Sequence, residues 1–255
     1  MLVFAAADVN YFIQHGLEFV NSCVANENFC HVVIFPNFEE DLDVQEKKLL
    51  HFMNNKFNKY KHPNTKFYCL EPLWFPYKYD LEIENTKAYY ASFRFLYLKE
   101  VFASHPEIDS VIVLDIDSII TKKLPKIEED VGLYLRLGNT VGSSQYEIEG
   151  MKVAAGIVYV SRNGLDFSLD LYNEIVKNPI RWFNDQHALY NAFKNTSLSV
   201  KDFSCEKWMD WEFNDMDYMI HTGKGDRKNN PKYLAIKEKY FEFKHLDTDI
   251  HRDSV

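Results

Sequence analysis

The chain has 255 residues, 46% of them hydrophobic and 16% aromatic, enough for one large domain with a substantial core. With 29 basic and 38 acidic side chains the formal net charge is −9, and there is no long basic run, which argues against general nucleic-acid binding. Cys23, Cys30, Cys69 and Cys205 lack C-x-x-C spacing, so neither a zinc site nor a disulfide scaffold is expected, and buried free thiols in a reducing compartment are.

Residues 2–7 form a short apolar run that ends at Asp8. No basic region precedes it, so it reads as a first strand and not as a signal peptide. No apolar stretch approaches the roughly 20 residues that span a bilayer. The expectation is a soluble, cytoplasmic chain whose membrane contact, if any, is peripheral. Helical spacing follows over 11–24, a second strand over 31–35, and an acidic loop and helix start at Glu39, Glu40, Asp41 and Asp43. A polar helix over 49–60 and a third strand over 66–70 lead to a Pro- and aromatic-rich connection through Pro72, Trp74 and Pro76. A strong helix spans 88–102. Alternating strands and helices predict a parallel sheet with right-handed crossovers. Further on, 132–137 and 153–160 read as strands, 165–177 and 185–194 as helices, and 216–221 as a short strand. The segment 138–150, rich in Gly, Ser, Asn and Thr, reads as a mobile loop that could order as a lid over a bound ligand.

The most informative feature is Asp115-Ile116-Asp117, which closes the apolar run Val111-Ile112-Val113-Leu114. Such a run reads as a strand buried on both faces. Strand residues two apart point to one side, about 6–7 Å apart. Both carboxylates would then project together at the carboxyl edge of the sheet, where open α/β folds bind ligands. Two anions so close call for a proton or a cation between them. A divalent cation such as Mg²⁺ or Mn²⁺ suits the pair and can in turn hold a diphosphate. Helix capping would explain either aspartate alone.

Four segments carry a resemblance: Ala5-Ala6-Ala7-Asp8-Val9-Asn10-Tyr11, Asp115-Ile116-Asp117, Asp185-Gln186, and His221 with the Gly- and Lys-rich turn that ends at Lys228. In this order the chain resembles retaining glycosyltransferases of the GT-A fold and is most similar to glycosyltransferase family 8, which includes glycogenin and bacterial lipopolysaccharide sugar transferases. There are two departures. The family pattern H-x-x-G-x-x-K-P-W has here one extra residue between His221 and Gly225, and no Pro-Trp follows Lys228. Ala154-Ala155-Gly156 stands where the family often has an Asn.

The resemblance implies a single α/β domain over 1–255, with a mixed, mostly parallel central sheet flanked by helices and a less regular segment from about 229. It implies transfer of a hexose from a UDP-sugar, with retention, to a glycan, lipid-linked or protein acceptor. Ala6, Asp8, Asn10 and Tyr11 would form the nucleotide end, with an Asp or Asn at the uracil edge and Tyr as a flat face. Asp115, Asp117 and His221 would be metal ligands, the imidazole favouring Mn²⁺ over Mg²⁺. The donor would also meet Asp115, Ile116, Gly223, Gly225 and Lys228, since glycines admit backbone N–H groups to a diphosphate and Lys supplies a point charge. Arg94, on an apolar helix, would reach the donor or make a structural salt bridge. Asp185 and Gln186 would sit beside the donor sugar, with Asp185 as nucleophile, electrostatic stabiliser, sugar clamp or helix cap. Trp208, Trp211 and Phe213 form an acceptor-side candidate or core. The basic-rich stretch 224–244 suits an anionic glycan, a membrane surface or plain solvent. Two rivals stay open: an aspartate-based phosphatase of haloacid dehalogenase type, and a non-catalytic nucleotide-sugar or carbohydrate binder.

Overall fold

A computed structural model describes residues 1–58, 68–74, 81–137, 151–223 and 225–241. The expected lid at 138–150, Pro76 and Lys224 lie outside them. The first half runs β1 (Leu2–Asp8), α1 (Val9–Ala25), β2 (Phe29–Phe35), α2 (Leu42–Met53), β3 (Tyr68–Pro72), α3 (Thr86–Leu96), α4 (Leu98–Ser104) and β4 (Ser110–Leu114). The second half runs β5 (Ser118–Ile120), β6 (Val131–Leu135), β7 (Val153–Ser161), α5 (Leu165–Val176), α6 (Asn184–Asn195), β8 (Val200–Asp202), β9 (Met209–Asp210), β10 (Ile220–Thr222) and α7 (Pro231–Glu238).

The main sheet has seven strands in the order β3-β2-β1-β4-β7-β6-β8, and a three-stranded sheet has the order β5-β10-β9. β1 runs parallel to both β2 and β4, and β2 to β3. β7 is antiparallel to β4 and β6, and β8 runs parallel to β6, so the sheet is mixed and mostly parallel. The apolar runs are continuous because both faces are covered. Along β1, Leu2, Phe4 and Ala6 join the core under α3, α5 and α6, whereas Val3, Ala5 and Ala7 join the core under α1.

The chain order reverses between β1 and β4. In a doubly wound sheet this reversal opens a crevice at the carboxyl ends of the two strands. The segments that follow β1 and β4 therefore meet at one place, although about a hundred residues separate them in sequence.

Three local expectations are corrected. The helix over 88–102 is two helices that meet at Tyr97, whose hydroxyl donates to Glu71 Oε1 at 2.8 Å. With no Gly or Pro near, the sequence does not mark that joint. The strand expected over 216–221 is only Ile220–Thr222; the residues before it turn, with Phe213 in the left-handed region at φ 57°. Cys23 and Cys30 are buried, but Cys69 is half-buried and Cys205 exposed. Among the described residues no helix is long and apolar enough to cross a membrane.

Candidate active site

Asp8 ends β1 and caps α1. Its Oδ1 accepts the backbone N–H groups of Asn10 at 3.1 Å and Tyr11 at 3.3 Å. Burial raises its carboxyl pKa, and these hydrogen bonds oppose the rise. The cap thus holds, and it fixes Asn10 and Tyr11 on the first turn, at the mouth of the crevice. Ala6, two residues earlier, is buried in the core.

Tyr11 links three segments. Its hydroxyl donates to Asp117 Oδ2 at 2.7 Å. Lys228 hydrogen-bonds the same hydroxyl, lies 4.3 Å from the ring centroid and stands 3.2 Å from Asp117 Oδ2. Burial first, and then Asp117 and Asp115, push the Tyr11 phenol well above its ordinary pKa, so it stays a donor. The main chain of Asp117 is held from the far side, where its carbonyl accepts from Tyr233 Oη at 2.7 Å and from the Gly223 N–H at 3.4 Å. A Cβ at Gly223 would stand 2.7 Å from the Tyr233 ring, so only glycine allows this approach. Gly225 has φ +58°, which suits glycine for its backbone and not for lack of space.

Asp115 faces a different cation. Its Oδ1 lies 2.6 Å from Arg94 Nη1. Arg94 Nη2 stands 3.6 Å from Asp185 Oδ2 and donates to the Ala155 carbonyl at 2.9 Å. The guanidinium, on α3, is only 5% exposed and so joins the ends of β4, β7 and α6 in a buried bridge. The salt-bridge reading of Arg94 is the one observed. Asp185 Oδ1 accepts its neighbour's N–H from Gln186 at 2.8 Å, while the N-cap of α6 is Phe183, at φ 69°. The cap reading of Asp185 is corrected accordingly. Gln186 is buried, and its Oε1 has no hydrogen-bond partner among the described residues. Ile116 is 2% exposed in the core beneath α1, which leaves only its main chain for a ligand.

The expectation that Asp115 and Asp117 stand on a strand is also corrected. They lie in a tight turn between β4 and β5, closed by the Ser118 N–H donating to the Asp115 carbonyl at 3.0 Å. Each carboxylate there meets its own cation, Arg94 for Asp115 and Lys228 for Asp117. His221 does not join them. It is fully buried on β10, opposite Ile119, with Nδ1 3.7 Å from Asp210 Oδ2 and its ring 6.5 Å from that of Phe213. Among the described residues no three His, Cys, Asp or Glu side chains are grouped to hold a metal ion, so the expected trio is not assembled. The chemistry of the residues nonetheless fits a divalent cation. Burial lowers the His221 pKa against the opposing pull of Asp210, and neither ring nitrogen has a hydrogen-bond partner among the described residues. Imidazole and carboxylate are ligand types that Mn²⁺ accepts, and the carboxylate beside His221 is that of Asp210.

Trp208 and Phe213 are core residues, 1% and 2% exposed. Trp211 alone of the three flanks the site. A Cβ at Gly156 would fall 3.0 Å from Asp115 Oδ2 and 3.7 Å from the Trp211 ring, so this glycine keeps open the space between them. Tyr134 packs edge-on to Trp211 with centroids 4.6 Å apart, and Arg136 lies 5.7 Å from its ring. Sequence reasoning missed Gly156 as a spacer, Tyr233 as an anchor of Asp117, and His15 beneath Tyr11, because none belongs to a recognisable spacing.

His15 carries a prediction. Its ring packs edge-on to Tyr11 at 4.7 Å, and its Nδ1 lies 3.3 Å from Lys237 Nζ. Burial, then Lys237 and Lys228, lower its pKa to about 3. An unfolded imidazole titrates near 6.5. Between these values the unfolded chain binds a proton that the folded chain does not, so stability falls as pH falls through that window, by up to about 1.4 kcal/mol per pH unit. The urea midpoint should drop between pH 7 and pH 5, and His15→Gln should flatten that slope. An unchanged slope in His15→Gln would assign the effect elsewhere.

No protein-family model matches the chain, and no curated protein matches it. Solved structures do. The apo form of the bifunctional glycosyltransferase WbbM matches with a TM-score of 0.51 and 15% identity over 94% of this chain, which spans 44% of WbbM. An active-site variant of LgtC matches with a TM-score of 0.54 and 14% identity over 94% of this chain and 96% of LgtC. At these identities the shared property is the fold, and the expected mixed α/β architecture is the one observed.

Proposed function

We propose that the chain is a glycosyltransferase that moves a hexose from a UDP-sugar to a glycan, lipid-linked or protein acceptor, with retention and with Mn²⁺ or Mg²⁺ as cofactor. One observation carries the reading: at the crevice between β1 and β4, buried Arg94 ties Asp115 to Asp185, while Tyr11 and Lys228 hold Asp117 beside them. Charged groups gathered at a sheet's switch point suit a charged, polyhydroxylated ligand.

In this reading Asp8 and Asn10 take the base edge, and Tyr11 closes that end. Lys228, with the turn through Gly223 and Gly225, faces the diphosphate. Arg94, Asp185 and Gln186 line the sugar, where the unpartnered Gln186 Oε1 would accept from a sugar hydroxyl. Trp211 offers an aromatic face on the acceptor side. Asp115 and Asp117 would supply carboxylates to the cation, which when bound neutralises charge developing on the leaving diphosphate. The Asp115 ion pair with Arg94 speaks against the phosphatase alternative, which needs a free nucleophilic carboxylate.

The test is thermal stability with UDP, GDP, CMP and ADP, each with and without Mn²⁺. A ligand at a hundred times its Kd stabilises the fold by about 2.7 kcal/mol. UDP with Mn²⁺ should raise the Tm, and UDP without the metal should do so much less. No shift with any nucleotide would sink the reading, and release of inorganic phosphate from simple esters would favour the phosphatase.

A further inference from the structure

The acidic turn 36–41 after β2 is tied down more firmly than a solvated loop requires. Gln45, fully buried on α2, accepts the Asn37 N–H at 2.6 Å and donates to the carbonyls of Asn37 at 2.8 Å and Glu40 at 2.7 Å. From α3, the Tyr90 hydroxyl accepts the Phe38 N–H at 2.8 Å and donates to Asn37 Oδ1 at 3.3 Å. This fixed turn touches the nucleotide end twice. The Asn37 side chain lowers the Asp8 carboxyl pKa, against the rise that burial causes. Glu40 Oε2 accepts from Asn10 Nδ2 at 3.1 Å, and Lys48 holds the other carboxylate oxygen of Glu40.

An Asn side chain offers a donor end and an acceptor end, and rotation about its last bond exchanges them. With Nδ2 engaged by a carboxylate, Asn10 keeps Oδ1 for a ligand. Asp8, once ionised, is also an acceptor only. An acceptor set against N3 of a pyrimidine needs a proton there. Uracil brings N3–H, whereas cytosine has a bare lone pair at N3 and carries its donor one position along, at the N4 amine. Resting on the transferase reading above, we propose that Glu40 is a positioning residue: by holding the amide of Asn10 it makes the donor site select uridine over cytidine nucleotides.

The experiment is calorimetric titration of UDP and CDP, with Mn²⁺, into the wild-type chain, Glu40→Ala and Glu40→Gln. Gln45 holds the main-chain carbonyl of Glu40 and not its side chain, so Glu40→Ala keeps the turn, which an unchanged unliganded Tm would verify. In Glu40→Ala the UDP-to-CDP affinity ratio should shrink about tenfold, the worth of one hydrogen bond to a charged group, chiefly through weaker UDP. In Glu40→Gln the amide oxygen still accepts from Asn10, and the ratio should stay near that of the wild type. Equal weakening of both nucleotides, or no change in either, would overturn the role of Glu40 while leaving the transferase reading intact. Failure of the wild-type chain to bind either nucleotide would overturn that reading, and this proposal with it.

Discussion

Replacing Arg94 with Met is expected to cost about 3 kcal/mol of folding stability, since removing one partner of a buried ion pair strands the charge that remains. Here two carboxylates lose their guanidinium, Asp115 at 2.6 Å and Asp185 at 3.6 Å, and the Ala155 carbonyl loses its donor. The loss weighs more at Asp185 because its side chain is only 10% exposed, against 30% for Asp115, which water can partly compensate. Turnover should vanish as well, because the bridge sets where Asp115 and Asp185 stand relative to each other. Arg94→Lys should not rescue it, as an ammonium is a point charge and cannot fork between two carboxylates and a carbonyl. Adding Asp185→Asn to Arg94→Met should recover part of the stability and none of the activity. Urea unfolding of the three variants reads this directly. A loss under about 1 kcal/mol for Arg94→Met would mean that the bridge is loose or wet.

Asp117→Ala should show the opposite balance, with transfer reduced at least about a thousandfold at little cost in stability. The fold holds this residue by its main chain, through Tyr233 and Gly223, and the variant keeps both contacts. What it loses is the carboxylate that orients Tyr11 and Lys228 and that would ligate the cation. The Mn²⁺-dependent part of the UDP thermal shift should go with it, and Asp115→Ala should lose that part of the shift and the transfer too. Normal sugar transfer by either variant would remove the Asp pair from the mechanism.

Much of this architecture was legible along the chain. The uninterrupted apolar runs of β1 and β4 could only be strands buried on both faces, and Asp8 and Asp115 stand where such strands end. Asp8 and Asn10 were read as nucleotide contacts and as cap residues, and the backbone hydrogen bonds to Asp8 Oδ1 confirm the cap while the nucleotide role stays a proposal. Of the two readings of Arg94, the salt bridge is observed, while its contact with a donor stays a proposal. Glu40, by contrast, lay in an acidic run with every mark of a solvated loop. Its attachment to Asn10 depends on Gln45 and Tyr90, whose roles have no sequence signature.

By itself, then, the sequence determined the class of fold and the two strand ends that carry acidic groups. These follow from periodicity and side-chain chemistry, which are local properties. Only the tertiary structure decided which charge meets which. The turn at Ile116 points Asp115 and Asp117 toward different cations, and β10 turns His221 toward Asp210 and Phe213. Pairing across a hundred residues is set by how the sheet brings distant strand ends together, and short-range spacing carries no record of it.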